Sequence, residues 1–150
     1  MKRFASLAEV RAALGDVIGP SEPLTVDQEQ IDAFAGATRD RQWIHTDPER
    51  AANGPYGTTI AHGYLTLSLI PQFASQLVAL EFGSTRINYG VNKVRFPAPV
   101  PVGSQLRASV TFVDTAESPA GVVLAARYVL DAGAGKPACV AETLVLVVGA

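Results

Sequence analysis

The longest apolar stretch of the chain, residues 61–82, is interrupted only by polar side chains such as His62, Gln72, Ser75 and Gln76, with Pro71 near its middle. It is long enough to span a bilayer, yet it carries those polar groups and lacks cationic anchors at its flanks, which excludes a transmembrane reading. A helix apolar on most sides is instead expected at the centre of a domain, wrapped by other elements. Thr58 or Thr59 would cap this helix, which should run toward Leu80 and be kinked or divided by Pro71.

Ahead of it the pattern is helical. Ser6-Leu7-Ala8-Glu9 has the form of a capping box, so residues 8–14 read as a short helix ending at Gly15. Residues 23–26 read as a brief strand, and Asp27 caps a second helix on which Ile31, Phe34 and Ala35 recur at helical spacing. Asp47-Pro48-Glu49 is a further helix start, with a capping acid, Pro at the first helical position and an acid in the first turn. Beyond residue 82 the character changes: residues 87–96, 104–114, 122–130 and 138–148 read as four strands separated by Pro- or Gly-rich turns. Helices first and consecutive strands afterwards define an α+β chain, here an antiparallel sheet curled around one central helix. At 150 residues, 48% of them hydrophobic, the chain fits a single domain over residues 1–150 with one sizeable core. The exposed edge and far face of such a small sheet make homodimerisation the expected way to cover them.

Charge narrows the partners. A formal net charge of −2 with dispersed Lys and Arg leaves no footprint for nucleic acid or for an anionic membrane. The one cysteine, Cys139, lies in an apolar run and reads as a buried, inert thiol. The basic start is followed at once by Glu9, Arg11 and Asp16, which breaks any apolar signal core, so a cytoplasmic location is expected.

Both histidines of the chain, His45 and His62, fall within one short region, and Asp40 stands five residues before the first. Histidine is the side chain whose ordinary pKa lies near neutrality, which makes this the place to look for proton-transfer chemistry. If residues 40–45 were helical, Asp40 and His45 would point about 140° apart. A helix ending near Thr38 or Asp40 and opening into a loop lets them converge, with Trp43 and Ile44 packing the loop down. His62, at the start of the buried helix, reads as a structural group that bonds backbone or holds this loop, and Gly63 after it offers a backbone N–H at a helix N-terminus. Asn92, inside an apolar strand, is a further candidate to reach loop or ligand. His45, Asp47 and His62 also imitate a two-His, one-carboxylate iron site, which the small scaffold argues against.

Asp40-Arg41-Gln42-Trp43-Ile44-His45 and Ile60-Ala61-His62-Gly63, with the strand from Asn92 to Val100, resemble the MaoC-like (R)-specific enoyl-CoA hydratases of the hot-dog fold. In that family the first segment has the form Gly-Asp-x-Asn-Pro-(Ile or Leu)-His, and an Ala-His-Gly or Val-His-Gly step opens the central helix. This chain departs from it at Arg39, Gln42 and Trp43, which stand for Gly, Asn and Pro. The resemblance implies reversible addition of water to a trans-2-enoyl-CoA to give an (R)-3-hydroxyacyl-CoA. It assigns Asp40 and His45 as the catalytic pair, with Gly63, His62, Gln42 and Asn92 around the oxyanion and substrate. No metal and no cofactor is required, coenzyme A being part of the substrate. A hot-dog thioesterase and a non-catalytic acyl-CoA-binding subunit remain open beside this reading.

Overall fold

The structure, a computed structural model, describes residues 1–150. In chain order the elements are β1 (Lys2–Phe4), α1 (Leu7–Ala12), β2 (Leu24–Thr25), α2 (Gln28–Thr38), α3 (Trp43–Thr46), α4 (Pro48–Ala52), α5 (Gly63–Ser68), α6 (Ile70–Leu77), β3 (Val78–Leu80), β4 (Thr85–Arg95), β5 (Gln105–Ser118), β6 (Gly121–Asp131) and β7 (Cys139–Val148). The anticipated caps are in place. The Glu9 amide donates to the Ser6 hydroxyl at 3.3 Å, the Gln30 amide to the Asp27 carboxylate at 2.8 Å, and the Arg50 amide to the Asp47 carboxylate at 3.0 Å.

The five-stranded antiparallel sheet has the order β2-β5-β6-β7-β4, and β1 pairs with β3 in parallel as a separate ribbon. Along β5, Leu106, Ala108, Val110 and Phe112 are buried in alternation, and along β6 so are Val122, Leu124, Ala126, Tyr128 and Leu130. That period of two turns one apolar face toward α5 and α6. The helices meet it with Leu65, Leu69, Ile70, Phe73 and Leu77, which join the same core cluster. This is the hot-dog arrangement expected from the sequence. Burial also pushes the Cys139 thiol up to about 11, so it is a protonated core side chain.

The central helix differs from expectation at both ends and in the polarity of its outer face. It begins at Gly63, not at Thr58 or Thr59, because the Thr59 hydroxyl is bonded to Gln28 and residues 59–61 run extended, with the Ala61 amide donating to Val100. It divides near Pro71, as expected: α5 stops at Ser68, Leu69 caps both helices, and Pro71 lies in the first turn of α6, where a missing N–H does least harm. It stops at Leu77, and β3 follows. Nor is it apolar on most sides, since Tyr64, Ser68, Pro71, Gln72 and Ser75 form an exposed stripe opposite the buried one. No helix is long and apolar enough to cross a membrane.

Candidate active site

The path of the chain after α2 creates the site. Thr38 ends the helix, and Arg39 turns the backbone through the left-handed region at φ 63°, the only non-glycine residue to do so. That conformation is strained for any side chain with a Cβ, which explains the Gly at this place in the motif of the MaoC-like hydratases. Residues 40–42 then lead into the one-turn helix α3. The segment read as a loop is thus partly helical, held where the Gln42 carbonyl accepts the His45 amide at 3.0 Å. Trp43 anchors it: the Arg50 guanidinium lies 4.5 Å over the indole, and Gly54 leaves room where a Cβ would come within 2.9 Å of the ring.

Residues 59–61 form the opposite wall. The Ile60 amide donates to the Ile44 carbonyl at 3.0 Å, and the Ile60 carbonyl accepts from Nδ1 of His45 at 2.6 Å. A carbonyl only accepts, so Nδ1 carries the proton and Nε2 is the ring nitrogen left for a ligand. His45 is 6% exposed. Burial holds its pKa below the ordinary value of 6.5; the Ile60 bond and Asp40 oppose that shift, and nearby His62 reinforces it. The imidazole is therefore neutral at pH 7.

His62 caps α5 without a side-chain bond to its backbone. Its ring is stacked on His45 at 3.8 Å between centroids and flanked by Phe34 at 5.0 Å. Nε2 of His62 donates to the Asp40 carbonyl at 2.9 Å, so this histidine fastens the loop through its backbone, while Nδ1 is buried without a protein partner. The Asp40 carboxylate is exposed, and one of its oxygens and one nitrogen from each histidine all lie within 4.8 Å of one another. A single water making two hydrogen bonds of about 2.8 Å spans such a gap. The same three groups are close enough to share a metal ion. Asp47, the acid weighed for that role in the sequence, is instead the cap of α4.

A cavity of about 370 Å³ adjoins His45, lined also by Ile60, Gly63, Thr66, Phe96 and Val100 among others. Its size is that of a small-ligand site. Gly63 is glycine for packing as well as position, since a Cβ there would lie 2.9 to 3.1 Å from the Phe96 ring. Gln42 is exposed and caps α3 through its backbone alone. Asn92 requires a correction: it is exposed on β4 and its amide donates to Glu142 at 2.8 Å, because a bulged edge strand turns it toward β7 and not toward the loop. Two residues that sequence reasoning missed are Gln28, whose side-chain amide donates to the His45 carbonyl from α2, and Thr59, whose hydroxyl donates to that amide's oxygen from the extended wall.

The curled sheet and the divided central helix, with Asp40, His45 and His62 gathered at its mouth, define a hot-dog protein. The family described as MaoC like domain matches residues 9–133, and the chain belongs to this family of hydratases and dehydratases, enzymes of the hydro-lyase class. It is 50% identical over 147 residues to the 3-hydroxyacyl-thioester dehydratase Z of Mycobacterium tuberculosis, covering 97% of each chain. Among solved structures it is similar to the monoamine oxidase regulatory protein of Archaeoglobus fulgius, at a TM-score of 0.75 and 26% identity over 91% of both chains. Its fold is also that of the (R)-hydratase from A. caviae involved in PHA biosynthesis, at a TM-score of 0.72 and 24% identity, covering 88% of this chain and 96% of that one.

The state of His45 sets the pH response. Between 6.5 and its lowered folded value the unfolded chain holds a proton here that the folded chain does not. Stability from this group is therefore complete above pH 6.5 and declines as the pH falls toward the folded value. Urea titrations between pH 7.5 and 5 are expected to show that decline, and His45→Gln to flatten it; an equal slope in the variant would contradict the assignment.

Proposed function

We propose that this enzyme adds water across the 2,3 double bond of a trans-2-enoyl-CoA to form an (R)-3-hydroxyacyl-CoA, and that it catalyses the reverse dehydration. The observation that carries the reading is the Asp40 carboxylate within the span of one water of a neutral His45 whose ring lines a ligand-sized cavity. The thioester class is supported by the name of the mycobacterial dehydratase and by membership of the family.

The chemistry asks for three things. A water held between Asp40 and His45 loses a proton to the pair as its oxygen bonds to C3. The pair then returns a proton to C2, so that one water is added and no net charge is left on the protein. In between, negative charge grows on the thioester oxygen, and the Gly63 N–H at the start of α5 is the group that receives it. Asp40 and His45 act as one unit, whose titration belongs to the pair. His62 serves the pair by fixing the Asp40 backbone. The mechanism uses no metal and no cofactor beyond the coenzyme A of the substrate.

The working form is a homodimer. β4 is the sheet edge, and its Ile87, Tyr89 and Val91 are 46, 64 and 52% exposed, as is Tyr64 on α5 at 69%. A long apolar edge invites pairing with a second copy. A monomeric mass by light scattering at micromolar concentration would refute this.

Incubation with crotonyl-CoA separates the readings. Loss of the conjugated enoyl absorbance without free thiol, unchanged by EDTA, is expected. Thiol release would mean thioester hydrolysis, and binding with neither would mean an acyl-CoA-binding subunit.

A further inference from the structure

Gln28 opens α2, far from the His45 motif in sequence, yet its side-chain amide is fully engaged beside it. Nε2 donates to the His45 carbonyl at 2.7 Å and to the Asp32 carboxylate at 2.8 Å, and Oε1 accepts from the Thr59 hydroxyl at 2.6 Å. Both groups facing Nε2 are pure acceptors and the group facing Oε1 is a donor, so only one orientation of the amide satisfies all three. Thr59 is 1% exposed, and its hydroxyl is spent on this bond.

The bonds form a closed circuit. Gln28 holds the His45 carbonyl; Thr59 holds Gln28; Ile60, the next residue after Thr59, accepts the Nδ1 proton of His45. The backbone of His45 and the acceptor that selects its tautomer are thus tied to one amide. Without that amide the one-turn helix α3 would keep its own bonds, but the ring and the Ile60 carbonyl would be free to drift relative to each other. A displacement of about 1 Å at a reacting group is enough to cost on the order of 100-fold in rate.

We infer that Gln28, locked by Thr59, is a positioning residue that sets the aim and tautomer of His45 for proton transfer. The inference rests on the proposed role of the Asp40–His45 pair and deepens it.

The test compares Gln28→Met, which keeps the length and loses every bond, with Thr59→Val and Thr59→Ser, all assayed with crotonyl-CoA and by ¹⁵N resonances of the His45 ring. Gln28→Met is expected to lower kcat by about 10- to 100-fold with KM changed by less than about threefold, and to mix the ring tautomers. Thr59→Val is expected to lose roughly tenfold and Thr59→Ser to stay within about twofold of the parent, because the serine restores the donor. If Gln28→Met fails to fold, the Val and Ser pair decides. A Gln28→Met kcat within twofold of the parent overturns the inference, as do an unchanged Nδ1–H tautomer or a Thr59→Ser as impaired as Thr59→Val. Those outcomes with an inactive Asp40→Asn leave the catalytic pair standing. Full activity in Asp40→Asn would remove the pair itself, while the ring resonances would still report whether Gln28 governs the tautomer.

Discussion

Asp40→Asn and His45→Gln are each expected to lower kcat for enoyl-CoA hydration by a factor of about 10³ or more, with a much smaller change in KM. That factor is about 4 kcal/mol of transition-state stabilisation. The reason is geometric. A carboxylate oxygen of Asp40 and a ring nitrogen of His45 are within one water's span, so on the proposed mechanism the loss of either leaves the reacting water held at one end with half of its proton route. Asn keeps the shape and hydrogen-bonding ability of Asp but has no basic oxygen, and Gln at position 45 has no ring nitrogen. On the proposed mechanism the two act as a unit, so the double variant should be close to the worse single one, well short of the product of both losses. Multiplicative losses would instead indicate two independent contributions. Both variants should fold, since the Asp40 carboxylate makes no bond that holds the fold and the loop keeps its anchor at Trp43.

The second large effect is on stability. Phe73 on α6 is 0% exposed, within the apolar stripe that the sheet wraps. Phe73→Ala removes most of that side chain from a close-packed interior and leaves a cavity between helix and sheet, at a cost of about 3–5 kcal/mol. For a chain of this size the melting midpoint should fall by roughly 6–20 °C. Chemical denaturation read against the parent protein checks it. A loss below about 1 kcal/mol would mean that the helix is not the centre of the core. Because α6 continues directly from α5, the site at Gly63 and His62 should loosen with it, so a loss of activity in this variant would not implicate Phe73 in chemistry.

Much of this was legible in the chain because the relevant physics is local. Apolar runs separated by glycine- or proline-rich turns fell within a few residues of β4 to β7, and the Ser6, Asp27 and Asp47 caps depend only on neighbours three residues away. The convergence of Asp40 and His45 followed from the angular argument that a continuous helix would separate them. What was not legible is tertiary. Thr59 looked like a helix cap because its best partner, Gln28, is 31 residues earlier, and that pairing shifts the start of the central helix to Gly63. Gln28 itself carries no sequence signal, being an unremarkable glutamine in the first turn of a helix. Asn92, a candidate to reach the loop or a ligand from its apolar strand, is exposed on the bulged β4 and bonded to Glu142. The exposed stripe of α5 and α6 depends on which faces a single chain leaves open.

The hydration proposal stands on where the thioester lies, and the most direct measurement is a crystal structure of the Asp40→Asn variant with crotonyl-CoA bound. The account predicts the thioester oxygen within hydrogen-bonding distance of the Gly63 amide and C3 facing the gap between residue 40 and Nε2 of His45. An acyl group seated in another cavity, such as the one beside Pro20 and Arg107, would contradict it, as would one lying in this cavity with C3 turned away from His45.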